Sequence, residues 1–426
     1  MAENTQFEMN ANTTTGLSAE MKTYYSDYLI DNASPNLVHD QFGQKHPIPA
    51  NGGKTINFRK FVPFSKATKP LSEGVTPNGG SLSVTDVTSE VAQYGYYETL
   101  SDMLMLTSVD NTLVETTKLL GSQAGSTLDT VTREVLNSGT NVMYAGGVEA
   151  RDALRENNKL TVEEIFKAAR MLKAQNAPKI DGGYVAIIHP DVAYDLMRDP
   201  EWIDVNKYAN AETIYAGEIG KIGGVRFVES TEAKVFASET LADGKKSFPV
   251  GGYTSSAEDA DMASGVHSKY SMVIDDPDAS EYAKQLVGKR INIANPMPEE
   301  GTVAAISVVV CGADYNGFIY FDPTTVPKPL PFNLTDEGTI IFGDGGGTGG
   351  RSIYSTLIMG ANAYGVTEVT GGGLEHIVKQ VGSGGTADPL NQRATAGWKG
   401  TKAAELLVDN YIVRVESAST FDGEAN

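Results

Sequence analysis

The stretch from Thr55 to Leu100 constrains this chain most. Its first part, "TINFRKFVPF", alternates Ile56, Phe58, Val62 and Phe64 with polar neighbours, which is the two-residue period of a strand. "TPNGG" follows at Thr76 to Gly80, and Asn78 and Gly79 supply the backbone freedom that a hairpin tip needs. The return run carries Leu82 and Val84 in one phase, then Val87 and Val91 in the other, so a bulge or twist is expected. Each arm holds about a dozen residues and reaches on the order of 40 Å at extended-chain rise. A bare two-stranded ribbon of that length is marginal in water. It therefore needs a surface to lie on, in its own subunit or in another. From Gln41 to Ser72 the chain carries Lys45, Lys54, Arg59, Lys60, Lys66 and Lys69 and no acidic residue. That run should meet an acidic surface on an adjacent subunit.

A length of 426 residues predicts two or three domains. Acidic residues outnumber basic ones 54 to 34, for a net charge of −20. Such a chain repels phosphate backbones, which argues against tight nucleic-acid binding and suits a surface beside DNA that must not adhere. Cys311 is the single cysteine, so no intrachain disulfide forms, and it reads as a small buried residue. The first residues lack a signal-peptide core, and no window is apolar for the length of a membrane span. Synthesis in a cytoplasm is expected. The sequons at Asn12, Asn32 and Asn333 then read as chance matches.

Residues 1–16 should be flexible. Ser18 caps a short helix with Met21, Tyr24, Tyr28 and Leu29 on one face, limited by Pro35. A long helix runs from Asn111 to about Leu136, with Thr112 and Glu115 as a capping box. Its apolar stripe is Leu113, Leu120, Ala124, Leu128, Val131 and Val135, and Gly121 and Gly125 mark close packing. Thr161 and Glu164 cap a second helix. "GGYVAIIHPDVAYDLMRD" reads as buried strand, turn and helix, and "GEIGKIGGVRFVEST" as a glycine turn feeding a strand. Composition shifts near Ala237: Ser238 to Gly350 holds 7 basic and 16 acidic residues. Strand candidates there are "SMVI", "RINIAN", "VAAISVVVC", "FIYF" and "TIIF", closed by "FGDGGGTGGR", read as a flexible glycine joint. The block reads as an inserted β-rich module. Asp409-Asn410 suits a turn between two final strands.

Chemical motifs are weak. "NGGKT" resembles the end of a phosphate loop, but Ile48 stands where a glycine is required, and a strand follows instead of a helix. No nucleophile elbow or zinc-protease helix occurs, and the five histidines are scattered. "DDPD" at Asp275 to Asp278 reads as a solvated turn rather than a calcium loop. No catalytic, cofactor-binding or metal-ligating residue is assigned, and no enzyme activity is expected.

The order of parts resembles a known family: arm, basic strand, long hairpin, glycine-bearing helix, "GGYVAIIHPDVAYDL", "GEIGKIGGVRFVEST" and "DPLNQRATAGWKG". It is similar to the major capsid proteins of tailed double-stranded-DNA bacteriophages, more narrowly to the N-four-like coat proteins with the HK-ninety-seven fold, over roughly residues 13–236 and 351–418. The resemblance implies an α+β fold. Its expected parts are an N-terminal arm (1–54), an extended loop (55–100), a peripheral domain with the spine helix (101–180), and the first part of an axial domain (181–236). The module (237–350) is then inserted, and 351–426 return to the axial domain and close the peripheral strands. It implies a virion shell of pentamers and hexamers, a separate scaffolding protein, a portal, decoration proteins and packaged DNA held by proximity without sequence-specific binding, with no membrane and no cofactor. Lys54, Arg59, Lys60, Lys66, Lys69, Asn78, Gly79, Arg393 and Trp398 are the expected assembly contacts. Trp398 is expected to plug the junction between the peripheral sheet and its helix, and Arg393 to face an acidic neighbour. The module should project outward. A surface-array or adhesin-like protein is the rival reading, and an enzyme with its site in the module a more distant one.

Overall fold

The structure is a computed structural model, describing residues 37–47, 54–61, 64, 68, 70, 79, 81–82, 84–107, 112–206, 220–261, 267–296, 303, 305–328, 331, 339–367, 374–383 and 388–426. The Ser18 helix, the three sequons, "NGGKT" up to Gly53, Asn78, Lys66 and Lys69 lie outside the described residues. The chain divides into two units, one of residues 1–138 and 361–409, the other of residues 139–360 and 410–426. Segment 361–409 belongs with the first unit and 410–426 with the second.

In the first unit, β1 (Gln44–His46) runs parallel to β17 (Tyr364–Thr367), which pairs antiparallel with β20 (Ala404–Leu406). The ribbon is β2 (Thr55–Phe61) against β3 (Val84–Glu90), Thr55 opposite Glu90 and Phe61 opposite Val84. The phase change between Val84 and Val91 is no bulge. The Val91 N–H donates to the Lys54 carbonyl at 2.7 Å, and β4 (Ala92–Ser101) then leaves for a different partner, β19 (Arg393–Lys402). β18 (Leu374–Lys379) completes that sheet in the order β18-β19-β4. The ribbon does have a partner in its own chain. Ile56 and Phe58 are buried with Ala403 and Leu407, and the Ser89 hydroxyl donates to the Ala404 carbonyl at 3.3 Å. Gly365 makes this possible, since a Cβ there would fall 2.4 Å from the Phe58 ring. Beyond this base, Val84 and Leu82 are exposed.

Two helices follow β4: α1 (Asp102–Thr107) and α2 (Thr112–Asn137). α2 is continuous through Gly121 and Gly125, both buried. It begins at Thr112, so this residue is the helix's first rather than the one before it.

The second unit holds a seven-stranded sheet. Its order is β5 (Val142–Tyr144), β21 (Ile412–Ser417), β16 (Ile353–Met359), β6 (Tyr184–Ile188), β8 (Val225–Glu229), β7 (Lys221–Ile222), with β9 (Val235–Phe236) beside β16. Every residue of β6, β16 and β21 is buried. α3 (Val162–Ala174) contributes Ile165, Ala168, Ala169 and Leu172 to the core above it. The Thr161 hydroxyl accepts the Glu164 N–H at 3.5 Å, while the Glu164 carboxylate turns away to accept the Gly146 N–H. α4 (Pro190–Met197) follows β6 directly, and α5 (Pro200–Asn206) brings Trp202 into the same core. His189 is a helix cap: its Nδ1 accepts the Asp191 N–H at 3.2 Å.

The inserted module is a closed antiparallel barrel. Its strands are β10 (Ser247–Asp261), β11 (His267–Ile274), β12 (Arg290–Ala294), β13 (Ala305–Ala313), β14 (Phe318–Phe321) and β15 (Ile340–Gly343), joined in the order β10-β11-β14-β13-β12-β15. Closure removes the open edges that a free sheet would expose. Burial alternates along β13, and Phe248, Met272, Ile291, Val308 and Ile319 fill the interior beside α6 (Ala279–Leu286). Cys311 is half-buried, with its thiol donating to the Tyr320 carbonyl, and burial pushes that thiol up. In "DDPD", Asp276 binds Lys245 Nζ and accepts the Asp278 N–H, an ordinary capped turn.

"FGDGGGTGGR" is not a loose joint. A Cβ at Gly343 would sit 2.1 Å from the Glu239 carbonyl oxygen, and one at Gly347 2.7 Å from the Leu154 carbonyl oxygen. The Thr348 N–H donates to Leu154 and its hydroxyl to the Asp152 carbonyl. These glycines are small because backbone crosses backbone, where the barrel strand leaves for the sheet.

Candidate assembly surface

In the first unit's sheet the two faces do different work. On the inner face, Trp398 is 3% exposed and packs with Leu120, Ala124 and Leu128 of α2 and with Leu374. Its indole N–H donates to Gln123 Oε1 at 3.1 Å, so its one polar atom is satisfied. On the outer face, Gly397 stands opposite Tyr97 of β4. A Cβ on Gly397 would lie 2.8 Å from both the Tyr96 carbonyl oxygen and Tyr97 Cβ. The face forms a groove of about 640 Å³ lined by Tyr97, Ile377, Lys379, Arg393 and Lys399.

Large apolar side chains crowd this unit's surface. Tyr97 is 69% exposed, Leu106 of α1 79% and Leu119 of α2 70%, with Met103 and Leu104 alongside. Single exposed apolar residues are ordinary; this set spans three consecutive elements.

The expected contact residues fall unevenly. Lys54 and Arg59 are exposed, and Arg59 Nε lies 3.9 Å from Asp86 on the facing ribbon strand. So exposed a pair contributes little. Gly79 is exposed in open space. The Lys60 side chain, Lys66, Lys69 and Asn78 lie outside the described residues. The Arg393 side chain is exposed, and its backbone N–H donates to Asp388 at 2.8 Å. Trp398 is buried within its own subunit and supports the surface from beneath.

Sequence reasoning missed a buried ionic cluster under α2. The Asp129 carboxylate accepts the His39 N–H at 2.7 Å and pairs with His39 Nδ1 at 2.6 Å, both residues fully buried. The next residue, Asp40, accepts the Thr132 hydroxyl at 2.6 Å and binds Lys402 Nζ of β19. Tyr364 donates to the His39 carbonyl, and burial, then Asp40's charge, holds its hydroxyl well above the ordinary range. A usable signal existed: Asp129 and Thr132 continue the helical stripe of Leu128, where a polar residue is out of place. Among the described residues no group of three or more His, Cys, Asp or Glu is placed to hold a metal ion. No described helix is long and apolar enough to cross a membrane.

Residues 85–278 match the family described as phage capsid protein. In three dimensions the chain is similar to the capsid of Ralstonia phage GP4, at 12% identity over 88% of this chain and 86% of that one, with a TM-score of 0.50. It is also similar to the capsid of cyanophage P-SCSP1u (12% identity, 89% and 87% covered, TM-score 0.48). A third is the acid-stable capsid of Helicobacter pylori bacteriophage KHP30 (10%, 88% and 87%, TM-score 0.48). No curated protein sequence matches the chain. The α+β chain has the HK-ninety-seven-like shell fold, as the first of these likenesses shows. Residues 85–278, a little under half of the chain, match a phage capsid family, and the fold agrees with that match.

Proposed function

We propose that this chain builds the icosahedral head around packaged double-stranded DNA by associating with its own copies as pentamers and hexamers. The carrying observation is the exposed apolar set on α1, α2 and β4, which a lone subunit leaves in water. Head-to-tail contacts that close make rings, and many modest contacts together make a shell. The ribbon, with Leu82 and Val84 exposed beyond its docked base, reaches across to a neighbour. A net charge of −20 keeps DNA mobile against the wall. Synthesis in the host cytoplasm, a separate scaffolding protein, a portal, and decoration proteins on an outward-facing barrel complete the reading. The protein acts through contacts and carries out no catalysis.

The test is negative-stain microscopy of the purified chain and of Leu106→Glu and Leu119→Glu. Both positions are exposed, so folding stability should change by about 0.5 kcal/mol or less. Rings, tubes or shells from the parent, lost in the variants, are expected. A dispersed monomer at every concentration, or variants that assemble as the parent does, would sink the reading.

A further inference from the structure

Segment 39–40 is held beneath α2 by groups that are all inside the protein: Asp40 is 6% exposed, Lys402 1%, Thr132 and Asp129 0%. A lysine and an aspartate thus meet in direct contact in a place nearly closed to water, where each must be satisfied by the other. Transfer of one proton from Lys402 Nζ to Asp40 Oδ2 gives a neutral amine facing a neutral carboxylic acid. Those are the two reactants of amide formation, already in contact. The Thr132 hydroxyl donates to the other carboxyl oxygen, Oδ1, at 2.6 Å, where negative charge would develop during attack. Beside them the His39–Asp129 pair leaves His39 Nε2 buried and without a hydrogen-bond partner among the described residues, a basic nitrogen inside the same dry cluster.

We propose that Lys402 and Asp40 condense into an intramolecular isopeptide bond that ties the N-terminal arm covalently to β19. The amine lone pair attacks Asp40 Cγ and the C–N bond forms, with charge on Oδ1 held by Thr132. A second proton passes from nitrogen to the Oδ2 hydroxyl, the C–Oδ2 bond breaks, and water leaves. The third ammonium proton remains on the amide nitrogen. Ammonium and carboxylate become amide and water with no oxidant, cofactor or outside proton. The product is uncharged, which relieves the desolvation that the ion pair bears. This inference rests on the cluster's geometry alone and holds whether or not the chain assembles.

The experiment is mass spectrometry of the purified full chain, denatured, with a proteolytic map. The expected result is a chain lighter by one water, with one branched peptide joining the Asp40 segment to the Lys402 segment. Lys402→Arg keeps a cation but cannot form the amide, and should show the full mass. The proposal is overturned if Asp40 and Lys402 are recovered in separate linear peptides, or if the Arg variant loses the same water. Should that variant fail to fold, the parent's peptide map still decides.

Discussion

Truncating Trp398 should loosen one unit of this protein and leave the other alone. The indole is 3% exposed and packs against α2 with Leu120, Ala124 and Leu128. An aromatic of this size buries roughly 200 Å², or about 5 kcal/mol at about 25 cal/mol/Å². Large-to-small aromatic substitutions measure about 3–5 kcal/mol, so Trp398→Ala should fall in that range. Little of this comes from the hydrogen bond, because Gln123 is exposed and can turn to water. Trp398→Phe should therefore retain most of the stability, losing about 1 kcal/mol with the N–H. Hydrogen exchange on the unassembled chain reads the first unit directly: protection in α2 and β19 should drop by about two to four orders of magnitude. Trp202 then remains as the sole tryptophan. It is buried in the second unit edge-on to Phe227, and its fluorescence transition should not move. Unchanged exchange in α2 would show that Trp398 does not hold sheet to helix. An equal loss in both units would show that they do not unfold separately.

Two further outcomes follow from the geometry. Gly365→Ala should push Phe58 out of its seat at a cost of about 1–3 kcal/mol, so proteolysis of the ribbon at Arg59 and Lys60 should quicken; an unchanged rate refutes the docked base. Burial holds His189 below its ordinary value of 6.5, against the opposing pull of Asp191, and its neutral Nδ1 caps α4. The unfolded chain then binds the proton more readily, so this contribution is complete above about pH 6.5 and is lost as pH falls through the folded value. The Trp202 transition should weaken between about pH 7 and 5, and His189→Asn, which keeps a cap acceptor, should flatten that slope; equal slopes refute the cap's role.

Elements with strong local signals were legible. The alternation of "VAAISVVVC" and "FIYF" gave barrel strands because their inward faces must be apolar wherever they sit, and "YVAIIHPDV" gave strand, cap and helix from adjacent residues. What local pattern could not carry was pairing at a distance. Phe58 meets Gly365, and nothing near either residue names the other. β3 and β4 look like one arm, since exchanging partners at Val91 costs no local rule. His39, Asp40, Asp129 and Lys402 read singly as solvated charges, and only their convergence makes them a site. Glycine misled for a related reason. "GDGGGTGG" has the composition of a supple joint, yet its residues are small because main chains cross there.

That crossing sets what can be exchanged in this protein. Since Gly343 and Gly347 lie against the carbonyls of Glu239 and Leu154, the barrel's return strand shares a seam with the chain's entry into the module and with the host unit before it. A graft that swapped the barrel for a foreign domain would have to cut inside this seam and carry its glycines along, or the host sheet would inherit a misfit it has no slack to absorb.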